Sequence, residues 1–147
     1  MVMRATLLLV IAGFVACSSG SGSQSSDGSV DTGFVGTWTV IGGSGTYHCV
    51  DSTDPWPNPA TVYVLAGARA NEVTSSNPDE NACTLSWNVS GSTATLVGGT
   101  CSFYSTMVSS GQATISATGM LSWSINATTP NPPCTATETI NAMRKTE

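Results

Sequence analysis

The chain has 147 residues, nine acidic against four basic, and a formal net charge of −5. So little Lys and Arg excludes a nucleic-acid surface, which works by neutralising many phosphates, and predicts no basic patch for anionic lipid. The length allows one domain with a modest core.

The chain opens with MVMRATLLLVIAGFVA over residues 1–16, in which Arg4 precedes an uncharged, mostly apolar stretch from Ala5 to Val15. That stretch is too short for a stable spanning helix, which needs about 20 apolar residues. It has the length of the apolar part of a secretory signal. Small Ala16 then precedes Cys17, and residues 18–30 read SSGSGSQSSDGSV. A Ser/Gly segment of this kind cannot bury a core and reads as a flexible tether. The predicted organisation is a signal peptide over 1–16, Cys17 and its tether over 17–33, and a β-rich domain over 34–147.

Phe14-Val15-Ala16-Cys17 resembles the lipobox of bacterial lipoproteins. The resemblance implies cleavage before Cys17, diacylation of its thiol and attachment to a membrane. Several acyl chains anchor stably where one binds only marginally. Ser18 follows the cysteine where Asp would retain a Gram-negative lipoprotein at the inner membrane. The resemblance therefore implies an outer-membrane location in the cell envelope. The competing reading is an ordinary secretory signal that leaves Cys17 free.

Five cysteines are present: Cys17, Cys49, Cys83, Cys101 and Cys134. If Cys17 is lipidated, an even four remain in an exported chain, which implies two disulfides. No CxxC pair occurs, so a four-cysteine metal site is not expected.

Beyond the tether the apolar residues recur with a period of two, the signal of half-buried strands. Phe34, Trp38 and Val40 share one parity. Leu85, Trp87 and Val89 share another, as do Leu121, Trp123 and Ile125. Strands are predicted over 35–41, 46–50, 61–65, 85–89, 93–97, 102–108, 112–118, 121–125 and 135–142, with a weaker one over 72–75. Turns are expected at Gly42-Gly43-Ser44-Gly45, Ser90-Gly91-Ser92, Ser109-Ser110-Gly111 and Pro130-Asn131-Pro132-Pro133. Eight or nine short strands at this spacing predict an all-β antiparallel barrel of up-and-down type, with a β-sandwich as the alternative.

One hairpin can be registered in detail. Gly91-Ser92 as a two-residue type II′ turn sets Val89 against Ala94, Trp87 against Leu96 and Leu85 against Gly98. Cys83 then misses Cys101 by one residue. A β-bulge at Gly98-Gly99 restores the match, which predicts a Cys83–Cys101 disulfide. By elimination Cys49 pairs with Cys134, joining an early strand to the last at the seam of a barrel.

Gly36-Thr37-Trp38 at the first strand resembles the G-x-W signature of lipocalins and related calycin barrels. The resemblance implies that Trp38 plugs one end and that a basic residue after the last strand, here Arg144, packs across it. It also implies a pocket for a small apolar ligand, lined by Trp87, Leu96, Trp123 and Ile125.

Catalytic signals are weak. His48 is the single histidine, no G-x-S-x-G elbow accompanies it, and the chain is expected not to be an enzyme. Asp51 and Asp54 in DSTDPWPNP read as a solvated turn in preference to a calcium loop, so no metal and no cofactor is expected. Trp56, between two prolines, is either an exposed binding anchor or, preferred, a lid folded over the barrel end. Glu138 shares parity with Ala136, Ile140 and Ala142. An inward carboxyl would need a partner and could meet a ligand inside the barrel. The preferred reading has the parity reversed or the carboxyl at the rim. Asn88 and Asn126 begin N-x-[ST] sequons, without glycosylation expected. The functional expectation is a cell-envelope lipoprotein acting as a non-catalytic binding or surface-structural module. Its membrane contact would run through the lipid, and its protein or small-molecule partner is open. The alternative is a lipocalin-like carrier of a small apolar ligand.

Overall fold

A computed structural model describes residues 33–78, 82–102 and 105–146. The leader, Cys17 and the tether lie outside the described residues.

Nine strands form one antiparallel sheet. They are β1 (Gly36–His48), β2 (Thr53–Pro55), β3 (Thr61–Ala66), β4 (Glu72–Ser76), β5 (Cys83–Ser90), β6 (Thr93–Cys101), β7 (Thr106–Ile115), β8 (Met120–Pro130) and β9 (Pro133–Arg144). Each pairs with its neighbour in the order β2-β1-β3-β4-β5-β6-β7-β8-β9, and β1 also pairs with β9. That last ladder closes an eight-stranded up-and-down barrel, with β2 as an extra strand on β1. Closure removes the exposed sheet edges that a sandwich would retain.

Alternation explains the strands. Leu85, Trp87 and Val89 of β5 are buried, as are Leu121, Trp123 and Ile125 of β8 and Ala136, Glu138, Ile140 and Ala142 of β9, while the residues that alternate with them face outward or are half-buried. Their inward side chains converge on one core with Phe34, Trp38, Val62, Val64 and Val73. Tyr47 and Trp56 fill the opposite end, their ring centroids 5.5 Å apart.

Two expected turns are strand interiors. Gly42-Gly43-Ser44-Gly45 lies within β1, paired to β9 residues 138–141, with a register shift between Val40 and Gly42. The glycines there answer to a close approach. A Cβ on Gly45 would fall 2.7 Å from the Trp56 carbonyl oxygen and 2.8 Å from its Cβ. The backbone confirms the approach, since Trp56 N donates to Gly45 O. Likewise Ser109-Ser110-Gly111 sits inside β7, where the register shifts between Val108 and Ser110 and Gly111 pairs with Ile125. Polar and glycine residues here mark a bulge. The chain therefore has one strand over 106–115 where two were expected. The turn at 130–133 is present, joining β8 to β9.

The β5–β6 hairpin keeps the expected turn. Ser90 pairs with Thr93, and Gly91 has φ of 60°, the backbone that a type II′ turn needs at that position. The bulge falls earlier than expected. Trp87 pairs with Leu96 and Ser86 with Gly98, so Val97 is the extra residue and Leu85 faces Gly99. The parity change still brings Cys83 opposite Cys101, and they are bonded. Cys49 and Cys134 form the second disulfide. Each lies one residue beyond the His48–Thr135 pair, so the bond fastens the closing seam.

Candidate functional site

Trp38 plugs the end of the barrel at which the described chain begins. Its indole N–H donates to Phe34 O at 2.8 Å. The Arg144 guanidinium lies over its ring, 4.9 Å from the centroid, and also donates to Gly33 O. Arg144 is the last residue of β9, not a residue after it. This is the closure that the G-x-W resemblance implies.

The interior holds a polar pair among apolar walls. Glu138 is 4% exposed, so its inward parity is real. The preferred expectation of a reversed or rim carboxyl is corrected, because Glu138 alternates in step with buried Ala136 and Ile140. Across the ladders it sits between Gly45 of β1 and Ile125 of β8, neither of which offers a polar side chain. Burial pushes its pKa from the ordinary 4.5 up to about 7, an effect that the Trp123 side chain partly opposes. Yet Glu138 Oε1 and Trp123 Nε1 are both buried and neither completes a hydrogen bond.

The neighbouring indoles differ. Trp87 stacks on Trp123 at 5.8 Å between centroids, and its own N–H donates to buried Ser75 Oγ at 2.8 Å. Trp38 is satisfied as well. A buried donor without a partner costs about 1–3 kcal/mol, so Trp123 facing Glu138 is the place where this core gives up stability. Chemically the Glu138 carboxyl can take up a proton near neutral pH in an apolar setting, beside an indole N–H that keeps its own.

The core leaves little room for a substrate beside it. The interior cavity lined by Phe34, Val64, Trp87, Leu121 and Trp123, among others, has a volume of about 10 Å³. A single water needs about that much. Trp87, Trp123 and Ile125 fill this interior and Leu96 is half-buried beside them. In place of the expected open pocket, the cavity that Trp87 and Trp123 line holds about 10 Å³.

The other sequence candidates lie at the disulfide end. Trp56 is buried against Tyr47 and Gly45, which is the lid reading and not the exposed anchor. Asp51 and Asp54 are exposed and line a surface pocket of about 420 Å³ with Tyr47, Pro132 and the Cys49–Cys134 bridge. Ser52 Oγ donates to Asp54. His48 is exposed, and its Nδ1 bonds Thr53 Oγ1 at 3.1 Å. No cluster of three His, Cys, Asp or Glu side chains suited to a metal occurs among the described residues. Asn88 and Asn126 are exposed on the outer wall. Ser75 and the packing role of Gly45 carry little sequence signal. Gly45 could have been found from its even spacing to Tyr47, but Ser75 carries no signal beyond its place in a weak strand.

No family model matches the chain, and no curated protein sequence matches it. Among solved structures it is similar to that of EF1p2_mFAP2b bound to DFHBI. The likeness has a TM-score of 0.49 and 11% identity over 80% of this chain and 98% of that one. The closure of the barrel is established by its own β1–β9 ladder.

Proposed function

We propose that the chain is a cell-envelope lipoprotein, held at the membrane through Cys17, whose filled barrel serves as a non-catalytic binding or surface-structural module. The partition of the cysteines carries this reading. Cys49–Cys134 and Cys83–Cys101 use four of the five in disulfides. Cys17 is left over, at the position that the lipobox resemblance assigns to acylation. Two disulfides also suit an exported domain, because thiols stay reduced in the cytosol.

The non-catalytic part of the reading draws on the settings of two residues. Glu138 is buried in the core, and His48 is exposed with its Nδ1 bonded to Thr53 Oγ1. Carriage of an apolar ligand would require Trp87 and Trp123 to separate.

Metabolic labelling with a radioactive fatty acid in a bacterial host tests the anchor. The full chain is expected to take up label and sediment with membranes, whereas Cys17→Ser takes up none and is released. Equal labelling of both, or none in either, would overturn the reading.

A further inference from the structure

We propose that the end of the barrel nearest the tether rests directly on an anionic membrane surface; this builds on the lipid-anchor reading. Outside the leader the chain has three basic residues, Arg69, Arg144 and Lys145. The composition predicts no basic patch for anionic lipid, but the fold gathers all three at one end. Arg144 ends β9, Lys145 N donates to Thr37 O at the start of β1, and Arg69 lies in the turn between β3 and β4. All three are exposed. Asp51 and Asp54 lie at the opposite, disulfide-bonded end, and Glu138 is sealed inside. Glu72, the first residue of β4, whose N–H donates to Arg69 O, is the acidic residue at this end among the described residues, and in the sequence Asp31 and Glu147 stand two residues from Gly33 and Lys145.

The same end carries apolar side chains on its outer wall. Of seven large exposed apolar residues, Ile41, Tyr63, Leu65 and Met143 belong to β1, β3 and β9. These strands are neighbours: Thr39 pairs with both Met143 and Thr61, and Thr37 with Tyr63. Apolar side chains beside cations fit a lipid headgroup boundary, where each basic residue adds attraction to anionic lipid.

The position of the tether names the occupant. The described chain enters at Gly33, whose carbonyl is held by Arg144 itself. Cys17 stands sixteen residues before Gly33 in the sequence. An acylated Cys17 would thus keep this end at a high effective concentration against the bilayer, where weak contacts suffice.

Two methionines supply the test. Met143 is 52% exposed at the tether end, and Met107 is 60% exposed near the Cys83–Cys101 bridge. The purified full chain is placed on phosphatidylcholine vesicles with and without phosphatidylglycerol, and in detergent, and peroxide oxidation of each methionine is followed by mass spectrometry. On anionic vesicles Met143 is expected to slow about threefold against Met107, as for a surface seated two-thirds of the time, and high salt restores it. Equal rates for the two methionines on every surface would overturn the proposal. Protection of Met143 in detergent that grows with protein concentration would overturn it too, by assigning the face to a second copy. Should the purified chain carry no lipid, the anchor reading fails separately. The domain is then held to nickel-chelating anionic vesicles by a hexahistidine in place of residues 1–17, and the same ratio decides.

Discussion

Glu138 stands across the β1–β9 seam from Gly45, a residue with no side chain to meet it. The space above Gly45 belongs to Trp56. A carboxyl has therefore been closed into the barrel at the seam, with the Trp123 indole as a polar neighbour and no completed bond between them.

Stability should depend on pH through this group. Its folded pKa, about 7, lies above the ordinary 4.5. Between those values the folded state holds more protons than the unfolded state, so stability falls as pH rises from about 4.5 and levels off above about 7. The loss is on the order of 3 kcal/mol, from 1.36 kcal/mol per pKa unit. Glu138→Gln is expected to flatten this decline and to be the more stable protein at pH 8. Urea titrations at pH 5 and pH 8 check it, and an unchanged slope in the variant would refute it.

Gly45 is expected to tolerate no side chain. Gly45→Ala places a Cβ within 2.8 Å of Trp56, and overpacking of this kind costs about 1–3 kcal/mol. Gly91 makes no such contact. A Gly91→Ala change would act instead through its positive φ. Trp56 fluorescence should therefore shift in the first variant and not in the second.

The two disulfides should differ in worth. Cys49 and Cys134 are 85 residues apart and Cys83 and Cys101 are 18 apart. In the chain-entropy model the long loop contributes about 4–5 kcal/mol and the short one about 3 kcal/mol. Denaturant midpoints of the two double Cys→Ser variants should fall in that order.

Much of this architecture is legible in the sequence, because alternation and cysteine spacing are local. Leu85-Ser86-Trp87 and Leu121-Ser122-Trp123 announce their own strands, and the Gly91 turn fixes a register good to within one bulge. The interiors of β1 and β7 are not legible in the same way. Glycine and serine there serve a close approach and a bulge, and both use the residue types of a turn. The fate of Glu138 also escapes local reading. Whether an inward carboxyl reaches a rim depends on the length of β9 and on what stands across the seam. Trp56 crosses from its loop to fill that position, a contact between distant segments.

The filled interior makes its own prediction. Trp87→Ala removes a ring stacked on Trp123 and should cost about 3–5 kcal/mol. It should also open an apolar cavity able to take up benzene or xenon. Binding is checked by the ligand-dependent rise in melting temperature, expected in the variant and absent in the parent chain.

In the proposed function this stapled barrel is tied to a membrane by Cys17. The intact mass of the chain purified from bacterial membranes tests it most directly. The expected species has its N-terminus at Cys17, carries a diacylglyceryl group there, and has the other four cysteines oxidised in pairs. An unmodified N-terminus at Cys17 or Ser18 would contradict it.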